Sequence, residues 1–146
     1  MPDTTIYLRD YQFPAFTIDA VSLIFDLYDD LALVTATIRL IRRHSGALHL
    51  LGEELELVSL HLNGVPLQAG EYQLQEDGLV INDCPDEMTL TVMTRIRPQD
   101  NTQLSGLYKS NHLFCTQCEA EGFRRITYFL DRPDVLATYT TKIIAD

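Results

Sequence analysis

The chain has 146 residues, 46% of them hydrophobic, which is enough for one domain with a sizeable core and too few for two ordinary ones. Its 11 basic and 21 acidic residues give a net charge of -10, a balance that repels phosphate backbones and anionic membrane surfaces. Neither nucleic acid nor membrane is therefore expected as a partner, although acidity by itself does not reveal a cationic one.

In chain order, MPDTTIYLRDYQFPAF offers no basic stretch followed by an apolar one, so no secretory signal is read there. Ala20 to Tyr28 alternates with period two, placing Val21, Leu23, Phe25 and Leu27 on one face and Ser22, Ile24, Asp26 and Tyr28 on the other. Asp29-Asp30 reads as a turn into a β-branched run, Leu31 to Arg43, and the two runs make a hairpin. Short strands are expected at Ala47 to Leu51 and Leu55 to Leu62, followed by an Asn63-Gly64 turn. Tyr72 to Leu74 and Leu79 to Asn82 flank Glu76-Asp77-Gly78 as a second tight hairpin. Glu87 to Arg97 alternates Met88, Leu90 and Val92 against Thr89, Thr91 and Met93 before Pro98.

These elements predict an all-β, mostly antiparallel domain over residues 1–146, with at most one short helix near the C-terminus. That helix would start at Pro133-Asp134-Val135-Leu136-Ala137, where proline suits a first turn and Asp134 complements the dipole. The last ten residues, ATYTTKIIAD, are strand-like to the end, and a domain seldom stops inside a strand, so the chain is expected to be a truncated piece. Three cysteines, two of them three apart, make a poor secreted disulfide framework, and a cytoplasmic setting is the default.

The alternation breaks down in Leu113 to Asp134, LFCTQCEAEGFRRITYFLDRPD, the expected functional surface. Cys84, His112, Cys115 and Cys118 can be drawn as a four-ligand zinc site, but one C-x2-C pair with two outlying residues lacks the second knuckle such sites use. A redox CxxC belongs at a βα junction, and none is read here; free thiols acting as small apolar residues are the preferred account.

If Gln117 to Glu121 is extended, Gln117, Glu119 and Glu121 project from one face and converge two carboxylates with an amide. A glycosidase pair would need other geometry and aromatic neighbours. Glu119 and Glu121 could instead pair with Arg124, Arg125 or Arg132 as a surface network of little energetic weight. Chemically the group suits a cation, and a peptide's α-ammonium is one.

CTQCEAEGFR followed by YxLDRPDVLA, with GLYKS before it and TTKIIAD after it, resembles the N-terminal domain of the bacterial aminopeptidase N family, zinc exopeptidases of the gluzincin type, over essentially the whole chain. The resemblance implies a saddle-like β domain that precedes a thermolysin-like catalytic domain of the same chain. It implies that Gln117 and Glu119 anchor the N-terminus of the peptide substrate, with Glu121 a secondary candidate. None of His44, His49, His61 or His112 is followed by Glu, so the family's HExxH is absent, and so is its GxMEN strand.

The expectation is thus a non-catalytic recognition domain with no metal or other cofactor of its own, zinc residing in the parent enzyme, and a surface that self-associates when uncovered. The alternative from a different class is a self-contained β-sandwich module whose acidic face binds a basic partner.

Overall fold

The computed structural model describes Thr5 and residues 7–146. Eleven strands follow in chain order: β1 (Phe16–Leu27), β2 (Ala32–Arg42), β3 (Leu48–Leu51), β4 (Glu56–Leu62), β5 (Val65–Pro66), β6 (Gln73–Gln75), β7 (Gly78–Ile81), β8 (Glu87–Ile96), β9 (Gly106–Ser110), β10 (Leu113–Gln117) and β11 (Thr138–Ile144). They form a six-stranded sheet in the order β11-β1-β2-β8-β4-β5, a three-stranded sheet β3-β7-β6, and the two-stranded ribbon β9-β10. The all-β expectation holds, and among the described residues helical structure is confined to three single 3-10 turns.

Period-two patterning is what builds the large sheet. Val21, Leu23 and Phe25 of β1 are buried, as are Val34, Ala36, Ile38 and Leu40 of β2, and Met88, Leu90 and Val92 of β8. Their neighbours in sequence point the other way, toward solvent or partial cover. Leu48, Leu50, Leu79 and Ile81 bring the small sheet onto the same core. Each such side chain is worth about 1.5–3 kcal/mol when taken fully out of water, which is why alternation fixes register here.

The predicted hairpins form with boundaries shifted by a residue or so, except that β1 begins at Phe16, four residues before the expected Ala20. β1 and β2 pair antiparallel, with a register shift between Ile18 and Ala20. β6 and β7 are joined through Glu76 and Asp77. Asn63 and Gly64 take positive φ of 50 and 80, the primed-turn geometry that suits the twist of paired strands, and they connect β4 to the short β5, which the sequence reading did not include.

One expectation is corrected. Pro133 to Ala137 is not a helix but a single turn, closed by Val135 N donating to the carbonyl of Arg132. The Asp134 carboxylate that would have capped a helix is taken by Arg132 and Tyr11, and the chain runs on extended into β11. The β9-β10 hairpin, over residues 106–117, was not among the expected elements. The strand-like ending does form a strand: β11 pairs parallel to β1 along its full length.

Candidate functional site

Gln117 is the last residue of β10, paired with Gly106 at the base of the β9-β10 hairpin. Asn101 organises the loop beneath that hairpin. Its Nδ2 donates to the carbonyls of Ser105 and Leu107, at 2.7 and 2.9 Å, and its Oδ1 accepts from Gln103 N. Beyond Gln117 the chain is not extended, which corrects the alternation drawn for Gln117, Glu119 and Glu121. It folds into a turn in which Gly122 N donates to the Cys118 carbonyl at 3.0 Å, and a 3-10 turn, Phe123–Arg125, follows directly. The Glu119-Ala120 peptide bond in this turn is cis.

The reason the chain can double back is Gly122. A β-carbon there would lie 2.4 Å from the Gln117 carbonyl oxygen and 2.8 Å from Cys118 Cα, distances no side chain tolerates. The turn is then fastened to both sheets. Glu53 N donates to the Arg124 carbonyl at 2.9 Å, Leu51 and Phe129 exchange backbone bonds, and the buried Thr94 hydroxyl of β8 donates to the Ile126 carbonyl at 2.9 Å.

Within this frame the charged side chains sort themselves. Arg125 takes Glu53 and Glu54, and Arg132 takes Asp134 at 2.7 Å. Arg124 Nε donates to Asp131 Oδ2 at 2.9 Å, and its Nη2 lies 3.5 Å from Glu121. The surface-network reading therefore holds for Glu121 and fails for Glu119. Glu119 is exposed, and its carboxylate has no hydrogen-bond or ion-pair partner among the described residues. Gln117, also exposed, donates from Nε2 to the Glu119 carbonyl at 3.3 Å, so the amide leans over the turn that carries the free carboxylate. The Gln117 side chain thus meets the backbone of Glu119, while the Glu121 side chain is drawn off to Arg124. Asp131, which the sequence reading passed over, is the half-buried end of this cluster. Only its place in LDRPD, seven residues after Arg124, could have signalled it.

Asp134 has the most displaced acidity in the region. Hydrogen bonding from Arg132, helped by Tyr11, holds its carboxyl down to about 2 from an ordinary 3.8, against an opposing effect of burial.

The cysteines are free and half-buried. Burial raises the thiol pKa of Cys84 and of Cys118, and the nearby Asp131 charge raises Cys118 further, so neither is primed as a thiolate. Cys118 instead lines an apolar groove of about 380 Å³ with Leu23, Phe25, Phe114, Phe123 and Ile143. The drawn set Cys84, His112, Cys115 and Cys118 is not assembled: among the described residues no group of three or more His, Cys, Asp or Glu side chains is placed to hold a metal ion.

Residues 39–146 match the family described as the peptidase M1 N-terminal domain. The chain belongs to that family. This M1 N-terminal domain is 49% identical over 142 residues to aminopeptidase N of Escherichia coli (strain K12), covering 96% of the chain and 16% of that relative. It superposes on the crystal structure of Legionella pneumophila aminopeptidase A in complex with aspartic acid with a TM-score of 0.88, at 36% identity, over 94% of the chain and 17% of that structure. An M1 zinc metallopeptidase from Deinococcus radiodurans, solved with a Tyr-Ser-Ala substrate, shares the fold alone: 14% identity and a TM-score of 0.73, over 88% of the chain and 32% of that structure. The M1 domain thus spans about a sixth of the length of the curated relative from Escherichia coli.

Proposed function

We propose that this domain serves a zinc aminopeptidase by anchoring the free α-amino group of the peptide substrate, with Gln117 and Glu119 as the anchors. The observation that carries the reading is the solitary carboxylate of Glu119. Arg124, Arg125 and Arg132 are all committed to other acids, leaving Glu119 beside the Gln117 amide with no cation among the described residues to neutralise it. An ammonium group satisfies both oxygen acceptors and offsets the charge. Membership of the M1 family supports the choice of a peptide amine over other cations.

The same arrangement explains how an exopeptidase would reject internal peptide bonds. A catalytic domain of the same chain, closing over this turn, shields Glu119 from water, and an amide nitrogen in place of the ammonium then leaves the carboxylate buried and uncompensated. The metal and the hydrolytic groups belong to that other domain. Free thiols at Cys84, Cys115 and Cys118 support a cytoplasmic setting for the whole enzyme.

The test is Glu119→Gln in the enzyme that carries both domains. Losing a charge-assisted hydrogen bond should lower kcat/KM for a free dipeptide roughly 10- to 100-fold. An unchanged kcat/KM would remove Glu119 from the site and end the anchor reading.

A further inference from the structure

We infer that Arg124 and Asp131 form a positioning device for the amine-binding turn, so that they govern selectivity for a free N-terminus without touching the substrate. This rests on the reading of Gln117 and Glu119 as anchors.

The geometry is more than a salt bridge. One oxygen of Asp131 receives two donors from Arg124, the backbone N–H at 3.2 Å and Nε at 2.9 Å. The other end of the guanidinium reaches the Asp131 carbonyl at 3.3 Å and the Glu121 carboxylate at 3.5 Å. A single planar group therefore ties together the turn that holds Glu119, the 3-10 turn behind it, and the stretch leading to Arg132. The side chains of Arg124 and Asp131 are only 20% and 10% exposed, so solvent screens the pair less than it would a surface contact.

Displacement of Arg124 has a direct route to the anchors. Gly122, two residues earlier, has its backbone wedged against the Gln117 carbonyl and is hydrogen-bonded to Cys118, the residue between the two anchors. On the far side the Arg124 carbonyl is fixed by Glu53 N. Any rotation of the 3-10 turn therefore moves the base of the pair Gln117 and Glu119. Lysine at 124 could neutralise Asp131, but a point charge cannot bond a carboxylate through Nε while reaching a carbonyl and a second acid.

The experiment uses the enzyme carrying both domains and compares inhibition by a free dipeptide amide with inhibition by its N-acetylated counterpart. The ratio of the two inhibition constants measures selectivity for the free amine, a quantity that a merely structural pair leaves alone while it lowers Tm. Arg124→Lys should reduce that ratio about tenfold, because small misplacements of a binding group are costly. Asp131→Asn keeps an acceptor for the Arg124 backbone N–H and should reduce it by a smaller factor, which preserves the test if the lysine variant folds poorly. Glu119→Gln is the reference: if it collapses the ratio while both clasp variants retain the parent value, the positioning role is overturned and the anchor reading stands. If Glu119→Gln leaves the ratio unchanged, the anchor reading is overturned, and this inference goes with it.

Discussion

Gly122 has room for a hydrogen and nothing larger. Its φ of -90 is open to any residue, so the obstacle to substitution is steric, with the Gln117 carbonyl oxygen 2.4 Å and Cys118 Cα 2.8 Å from where a methyl would sit. Backbone must shift to accommodate it. Gly122→Ala should therefore destabilise the domain by about 1–3 kcal/mol, read as a fall in Tm, by the overpacking mechanism. Asp134 makes a different prediction. Its carboxyl titrates at about 2 in the folded chain and near 3.8 when unperturbed, so its contribution to stability is complete above pH 3.8 and is lost as pH falls toward 2. In Asp134→Asn the Tm deficit relative to the parent domain should be constant above about pH 4 and shrink toward pH 2. The pair is largely solvent-facing, so added salt should narrow the deficit as well.

At the scale of elements, one buried hydroxyl on β8 bonds the backbone of the site. Thr94 is fully buried and donates to the Ile126 carbonyl. Thr94→Val keeps the shape and strands that carbonyl, which should cost about 1–3 kcal/mol in urea denaturation with an unchanged slope. β1, β2 and β8 were legible in the sequence because each buries one face, and a buried face imposes strict alternation on residues such as Val21, Leu23 and Phe25. The β9-β10 ribbon was not legible, since burial falls on the adjacent Gly106 and Leu107 rather than on alternate residues, and Leu113, Thr116 and Gln117 of β10 are exposed. Gln117 and Glu119 were singled out through the TQCEAEGFR run, but the geometry expected for them was misread: alternation was extended past Gln117, where Gly122 actually folds the chain back. The helix expected at Pro133 failed for a related reason. Local preference favoured it, while Arg132 and Tyr11 had already claimed the Asp134 carboxylate.

For the molecule as a whole, the sequence order of strands said nothing of their spatial order. Patterning identified β11 as a strand but could not announce that it lies parallel beside β1. That placement leaves Tyr139, Ile143 and Ile144 at 47%, 66% and 42% exposure on an outer strand of the large sheet. An open edge with apolar side chains is a template for association. The 146-residue chain purified alone should therefore gain mass with concentration in sedimentation equilibrium, and Ile143→Lys should hold it monomeric. A monomer at every concentration would count against the exposed edge as a sticky surface.

The pairing of Ala20 with Thr138 also sets the order of events during synthesis. As the ribosome delivers the chain from its N-terminus, β2 and then β8 and β4 can assemble on one side of β1, while its other edge waits for nearly the entire domain to emerge. Closing so distant a contact carries a large loop entropy, and topologies dominated by such contacts fold on the order of milliseconds to seconds. The nascent domain thus spends most of its translation with one edge of β1 unpaired, and an unpaired edge is where a partly folded chain associates wrongly.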